Sequence, residues 1–267
     1  MGLDSRLEGR RVLVIGASSG VGRAAADALL NEGARVAYAA RRLDRLNEAI
    51  AAVDRMTTTR STEAGDAIAL ECDVCDEASV VSAVDGTVRA LGGLDAVVYA
   101  PGIAVFRRIS EVDAQTWRQI LDTNLIGPSL VLRASIDQLR ESRGKAVLIS
   151  SIVIDDNPPR PYNAPYVVSK TALETLVQAW QGEHRAVGFT TIAMGDTVTE
   201  FGQDVDPSSL SDMVTSWVEG GYMYGRAMQA ESVAEQIVSA LKSRETIRRI
   251  AITPRYSDDP ADGGGFW

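Results

Sequence analysis

Cysteine is scarce in this sequence of 267 residues: there are two, Cys72 and Cys75, in Cys-Asp-Val-Cys. Two thiols cannot build a disulfide framework, and a tetrahedral zinc site needs more ligands than they supply. The single histidine, His184 in Gln-Gly-Glu-His-Arg, stands far along the chain from both. We therefore expect no metal site, two small residues at a strand end and in its loop, and His184 at a helix end near the C-terminal dipole. Positive charge is in deficit, with 27 Lys and Arg against 36 Asp and Glu, a net charge of −9. That balance argues against sequence-independent binding of nucleic acid. No apolar run is long enough to cross a bilayer, and the first residues carry no apolar signal region. The expectation is a soluble, cytoplasmic protein without nucleic-acid or membrane partners. With 45% hydrophobic and 24% charged residues, the chain can still bury a sizeable core.

What the chain does contain is an alternation of short β-rich runs and helical stretches. Strands are expected at 11–15, 36–40, 67–72, 95–99, 145–150, 190–194 and 250–253. Helices are expected at 24–33, 44–53, 77–91, 114–126, after Pro128, and from Tyr166 to about Trp180. A polar stretch, 55–66, reads as a surface loop. Strands separated by helices imply parallel pairing with right-handed crossovers. The fold class is therefore α/β, a Rossmann-like doubly wound sheet of about seven parallel strands with helices on both faces. No repeat or linker divides it. One domain is expected over 1–257, with a lid at 200–230 and a frayed tail at 258–267.

Between the first strand and first helix stands Gly16-Ala-Ser-Ser-Gly-Val-Gly. Glycines there allow a tight turn and close approach of backbone to a pyrophosphate, and the helix N-terminus offers free N–H groups. Gly16, Ser18, Ser19, Gly20, Val21 and Gly22 are the candidates. The second strand ends Ala39-Ala40-Arg41-Arg42, without the acidic residue that would bond the ribose hydroxyls of NAD. A guanidinium matches a phosphate bidentately. NADP(H) is favoured, with Arg41 on the 2′-phosphate and Arg42 as a second contact; NAD(H) is the alternative. Both arginines could instead be plain surface charges.

Tyr166 and Lys170, in Tyr-Val-Val-Ser-Lys, lie four apart and share a helix face about 6 Å apart along the axis. A lysine there places positive charge beside a phenol, which is expected to lower the tyrosine pKa from about 10. Such a phenol can give or take a proton. Tyr162 is a rival phenol, but it has no lysine four residues on.

With these motifs in order, together with Asp73-Val74 after the third strand, Asn124 in Asp-Thr-Asn-Leu, and Ser150-Ser151 after the fifth, the chain resembles the short-chain dehydrogenase/reductase family in its shorter single-domain form. The match spans roughly residues 7–253. The resemblance implies a catalytic tetrad. Tyr166 is general acid in ketone reduction and base in alcohol oxidation. Lys170 holds the nicotinamide ribose, Ser151 the substrate oxygen, and Asn124 a water that links Lys170 to solvent. It also implies adenine contacts from Asp73 and Val74, close backbone approach at Ala100 and Gly102, and contacts from Gly195 and Thr199. Family members are usually dimers or tetramers, so a homodimer or homotetramer is expected. Three places depart from the family pattern: Tyr99-Ala-Pro-Gly102 replaces an asparagine-bearing turn, Met194-Gly195 replaces Pro-Gly, and the segment before Tyr166 is proline-rich.

The implied function is an NAD(P)H-dependent oxidoreductase moving a hydride between nicotinamide and a ketone or secondary alcohol. Phe201, Met213, Trp217, Tyr222, Met223 and Tyr224 in the lid segment suggest an apolar substrate, or equally the lid's own packing. Two other classes compete: a dinucleotide-binding sensor or scaffold without turnover, and a sugar-nucleotide epimerase or dehydratase. The intact tetrad argues against the first, and the chain length and glycine spacing against the second.

Overall fold

Alternate residues of the first strand, β1 (Arg11–Ile15), enter two different cores. Val12 and Val14 pack on one side of the sheet, Leu13 and Ile15 on the other, and all four are fully buried. Burial on both faces is what a parallel sheet covered by helices demands, and it explains why the run is continuously apolar rather than alternating. The computed structural model describes residues 7–56, 66–199 and 207–255. The tail 258–267, residues 57–65 of the expected loop, and residues 200–206 of the expected lid, Phe201 among them, lie outside the described residues.

β1 is followed by α1 (Gly20–Asn31), β2 (Arg35–Ala40), α2 (Leu43–Met56), β3 (Ala67–Glu71), α3 (Glu77–Leu91) and β4 (Ala96–Tyr99). Then come α4 (Ala114–Leu121), α5 (Gly127–Ser142), β5 (Lys145–Ser151), α6 (Ala164–Glu183), β6 (Gly188–Met194), α7 (Pro207–Glu219), α8 (Ala230–Lys242) and β7 (Arg249–Ile252). The seven strands form one sheet in the order β3-β2-β1-β4-β5-β6-β7, parallel throughout. This is the Rossmann-like sheet expected from the sequence. The chain reverses direction across the sheet between β1 and β4. Beyond the carboxyl ends of such a pair a crevice opens, and in folds of this kind ligands bind there.

Local chemistry sets the helix ends. The Asp76 side chain caps α3, accepting from the Ala78 and Ser79 N–H groups at 2.9 and 3.4 Å, and Gly92 closes it in the left-handed region at φ +79°. Two helices expected at 114–126 and after Pro128 are instead one rod. α4 passes into α5 through a π-helical turn, Asp122–Ile126. Proline has no N–H, so Pro128 cannot bond the Asn124 carbonyl four residues back, and the ladder widens there. α8 was not expected from the sequence. It packs against α1 on the β6–β7 crossover, burying Val233, Ala234, Ile237 and Val238.

Candidate active site

The glycine turn lies at the switch point, and its geometry is forced by contact. Gly16 has φ +84°, and a Cβ there would stand 3.1 Å from the Pro101 ring. A Cβ on Gly22 would stand 2.3 Å from the Gly16 carbonyl oxygen, so α1 packs backbone against backbone on the turn. Ser19 precedes α1 in extended backbone without a side-chain cap, and no acidic residue occupies the first turn. The N–H groups there are open to an anion. A cleft of about 380 Å³ follows. Gly16, Ser18, Ser19, Gly20, Val21, Gly22, Arg41, Arg42, Asp73, Val74, Ala100, Gly102, Thr199, Tyr166 and Lys170 all line it. Gly195 does not. An added Cβ there would meet Pro254 at 2.9 Å, and the neighbouring Met194 faces the cleft in its place.

Arg41 and Arg42 are both exposed at the end of the cleft beside β2. The Arg42 guanidinium donates to the Ser18 hydroxyl at 3.4 Å. Cys72 is buried and its thiol is pushed up to about 12, chiefly by burial. Cys75 is exposed, with its sulfur 3.6 Å from the Thr123 hydroxyl. Among the described residues no cluster of His, Cys, Asp or Glu could hold a metal. His184 caps α6 through its backbone and stacks on Trp180, with centroids 5.1 Å apart.

Tyr166 and Lys170 lie on the first turns of α6, both buried, with the ammonium 5.7 Å from the phenol ring centroid. Lys170 donates to the Ile149 carbonyl at 2.7 Å. A hydrogen bond joins the Ser151 hydroxyl, at the end of β5, to Tyr166. Ser150, the competing serine, is fully buried, and its hydroxyl has no partner among the described residues. Tyr162 stands outside the cleft, under the Arg108 guanidinium at 4.8 Å.

The electrostatics correct one expectation. In this structure Tyr166 is not acidified; it is pushed up to about 12 by burial, against a lowering hydrogen bond from Ser151. Asp196 pushes it further up and Arg160 draws it down. Lys170 itself is pushed down to about 8 by burial, opposed by Glu174. Spacing along a helix reveals a neighbour but not how dry the site is, and here desolvation is the largest cause of both shifts.

Asn124 is fully buried at the π turn. Its amide oxygen accepts from the Ile103 N–H, and its amide nitrogen donates to the Ile103 carbonyl and the Ser169 hydroxyl, all at 2.9 Å. The side chain thus clamps the segment after β4 to α6. Tyr99, one of the departures from the family pattern, does parallel work. It is fully buried, and its hydroxyl donates to the Thr123 carbonyl at 2.6 Å. A Cβ on Gly127 would collide with that hydroxyl at 2.6 Å, so the tyrosine and the glycine form one device. Sequence reading missed it because the partners lie 24 residues apart.

Four of the named lid residues enter one apolar cluster. Met213 and Trp217 are buried with Phe106 in one cluster that also gathers Tyr222 and Met223, and Trp217 meets Phe106 edge-on at 5.6 Å. Among the described residues these four lid side chains pack with Phe106, as the alternative of lid packing expected.

A family model described as short chain dehydrogenase matches residues 10–209. The chain belongs to the short-chain dehydrogenase family. It is 33% identical to an uncharacterised oxidoreductase of Methylorubrum extorquens, over 73% of this chain and 76% of that protein. It is 27% identical to the 2-(S)-hydroxypropyl-CoM dehydrogenase 3 of Xanthobacter autotrophicus, over 91% and 93%. An alcohol dehydrogenase from the archaeon Thermococcus sibiricus, solved with 5-hydroxy-NADP, superposes with a TM-score of 0.77 at 25% identity, covering 92% of this chain and 96% of that one. Membership makes this short-chain dehydrogenase an oxidoreductase that works with a nicotinamide cofactor on a small molecule. Among the described residues no helix is long and apolar enough to cross a membrane.

Proposed function

We propose that the protein is an NADP(H)-dependent dehydrogenase/reductase of a carbonyl/alcohol pair, with Tyr166 as its general acid and base. The observation that carries this reading is the buried Tyr166 hydroxyl, hydrogen-bonded to Ser151 and lining the same cleft as the glycine turn and Lys170. The cleft suits a dinucleotide. Its floor is glycine where a Cβ would fill the space, and an uncapped helix N-terminus faces the phosphates. Gly16 to Gly22 would hold the pyrophosphate, Asp73 and Val74 the adenine, and Lys170 and Thr199 the nicotinamide end. Arg41 would pair with a 2′-phosphate, and Arg42 would support it. The archaeal alcohol dehydrogenase solved with 5-hydroxy-NADP supports the same choice.

When bound, nicotinamide supplies or accepts the hydride. Ser151 holds the substrate oxygen, and Tyr166 gives it a proton in reduction or takes one in oxidation. A phenol pushed up to about 12 is a weak acid at rest, so a cation beside it must favour the phenolate during turnover. Lys170 is that cation while it stays protonated. Asn124, whose carbonyl Pro128 cannot cap, would hold a relay water. Exposed Ile126 on the helical rod and Val168 on α6 suit a homodimer or homotetramer face.

The test compares the wild-type chain with Tyr166→Phe over a panel of ketones and secondary alcohols, with NADPH and NADP⁺. We expect turnover to fall by about a thousandfold, in the range for loss of a positioned acid or base, with cofactor affinity nearly unchanged. Unchanged turnover would defeat the role and favour a cofactor-binding protein without chemistry.

A further inference from the structure

Resting on the Tyr166 reading, we propose that Arg160 is a positioning residue for the reaction: it clamps the α7 lid over the substrate side and neutralises Asp196 beside the reacting hydroxyl. Arg160 stands in the proline-rich segment before α6, and its side chain is only 2% exposed. A guanidinium that deep must be matched on every side. Its Nε donates to the Asp156 carboxylate at 2.6 Å, and Nη1 to the Asp196 carboxylate at 3.3 Å. The guanidinium carbon lies over the rings of two lid aromatics, 5.6 Å from the Trp217 centroid and 5.8 Å from that of Tyr222.

Three walls of the substrate side therefore converge on one cation. Asp156 belongs to the segment after β5, which begins at Ser151. Asp196 stands two residues past Met194, whose carbonyl accepts from Ser151 at 3.4 Å. Trp217 lies on α7 and Tyr222 just beyond it. Each aromatic is tied again to the proline-rich segment: the Trp217 indole N–H donates to the Pro161 carbonyl at 2.8 Å, and the Tyr222 hydroxyl to the Pro158 carbonyl at 2.9 Å. The far end of the lid is pinned to the same place, since the Met228 N–H donates to the Asp196 carbonyl at 2.8 Å. A planar fork with several N–H donors bonds two carboxylates at once while its charge lies over two rings; a lysine has a single ammonium point and is no substitute.

The groups around Tyr166 make this more than a structural staple. Lys170 faces it from its own helix, Ser151 from β5, Asp196 from the segment after β6, and Arg160 from the segment before α6. Asp156 acts on it only through Asp196 and Arg160. Asp196 opposes the phenolate and Arg160 favours it, and the two are bonded to each other, so the pair acts on Tyr166 with opposite signs. The Asp196 carboxyl is itself raised, chiefly by burial, and drawn back by Arg160. Its second oxygen is buried without a partner among the described residues, which leaves Arg160 as its counterion.

The test uses the full chain, and as probe the secondary alcohol with the highest turnover in the panel above. The pH profile of its oxidation is measured for Arg160→Gln, Asp196→Asn and Arg160→Lys, alongside cofactor affinity, thermal melting and chymotrypsin cleavage of the lid. Oxidation needs the phenolate, so the limb that reports Tyr166 should move to higher pH in Arg160→Gln and to lower pH in Asp196→Asn. Arg160→Lys should leave the limb in place, yet raise KM about tenfold and speed lid cleavage, because the charge remains and the fork is lost. Limbs that shift in the same direction, or that stay still in well-folded variants, would overturn the proposal, as would an Arg160→Lys lid cut no faster than wild type. If Arg160→Gln does not fold, Asp196→Asn and Arg160→Lys carry the decision. A Tyr166→Phe chain that keeps its turnover removes the underlying reading instead; an inactive Tyr166→Phe with unmoved limbs overturns only the role of Arg160.

Discussion

The two halves of the cleft are built from different materials. The cofactor half is backbone: a glycine turn pressed on a helix N-terminus, with Pro101 packed over Gly16 and Gly22 against the Gly16 carbonyl. The substrate half is side chain: Arg160 between two carboxylates and over two aromatic rings, with Trp217 packed edge-on against Phe106. Backbone presents the same N–H groups whatever the side chains do, which suits a ligand part that never changes, a pyrophosphate. Side chains can be exchanged one at a time without moving the sheet, which suits the part where members of one fold differ in substrate.

The hardest blow to the first half needs only one methyl group. Gly22→Ala would place a carbon 2.3 Å from the Gly16 oxygen, and neither backbone can retreat without moving α1 or β1. We expect about 3 kcal/mol of destabilisation, the upper end for overpacking, and a melting temperature lower by on the order of 10 °C. Cofactor affinity should fall with it, while the packing of Trp217 on Phe106, read by tryptophan fluorescence, stays native. Calorimetry showing a melt within a degree or two of wild type would mean that the turn is softer than its geometry suggests.

That asymmetry also explains what could be read from the sequence. The glycine turn and the Tyr166–Lys170 pair are local patterns of seven and five residues, so which groups they bring together follows from local geometry. Arg160 and Asp196 are separated by 36 residues, and no spacing rule joins them; only the closed sheet does. The Tyr99–Thr123 bond is hidden in the same way. Pro128 is visible in the sequence, but local pattern does not tell a proline that begins a new helix from one that widens a continuous one. α8 was legible and overlooked, since Val233, Ala234, Ile237 and Val238 repeat at helical spacing. The direction of the Tyr166 shift was misread for a deeper reason: helix spacing tells which groups meet, whereas desolvation depends on everything packed around them.

A smaller effect sharpens the contrast at its outer edge, where Arg41 offers a side chain to the backbone-built half. Arg41→Ala should weaken NADPH about 10- to 100-fold, the range for a charge-assisted hydrogen-bonded pair. NADH should change by no more than about threefold, because it carries no 2′-phosphate for the guanidinium to meet. Titration of both cofactors into the variant decides it. Equal losses would make Arg41 a general surface charge and return the choice between NADP(H) and NAD(H) to other residues, Arg42 first.

The smallest effect sits where the halves meet, at Lys170. Burial depresses its folded pKa from 10.5 to about 8, although Glu174 opposes the shift. Between about pH 8 and about pH 10.5 the unfolded chain therefore holds a proton that the folded chain has released. Stability should rise with pH across that window, by up to about 1.4 kcal/mol per pH unit. Tyr166, raised from 10.0 to about 12, has the opposite sign, since the folded chain keeps its proton longer and stability falls above about pH 10. Lys145, lowered from 10.5 chiefly by burial, adds to the rise, and Cys72, raised from 9.0 to about 12, opposes it from about pH 9, so the difference between wild type and Lys170→Met in urea unfolding of the cofactor-free chain between about pH 8 and about pH 9.5 reports the lysine. Lys170→Met should flatten that rise while leaving the fall above about pH 10 in place. A variant that retains the full rise would assign it to another group and leave Lys170 charged at rest. The ammonium would then be present beside the phenol before any cofactor arrives, and the dry, nearly neutral site described here would have to give way to an ion-lined one.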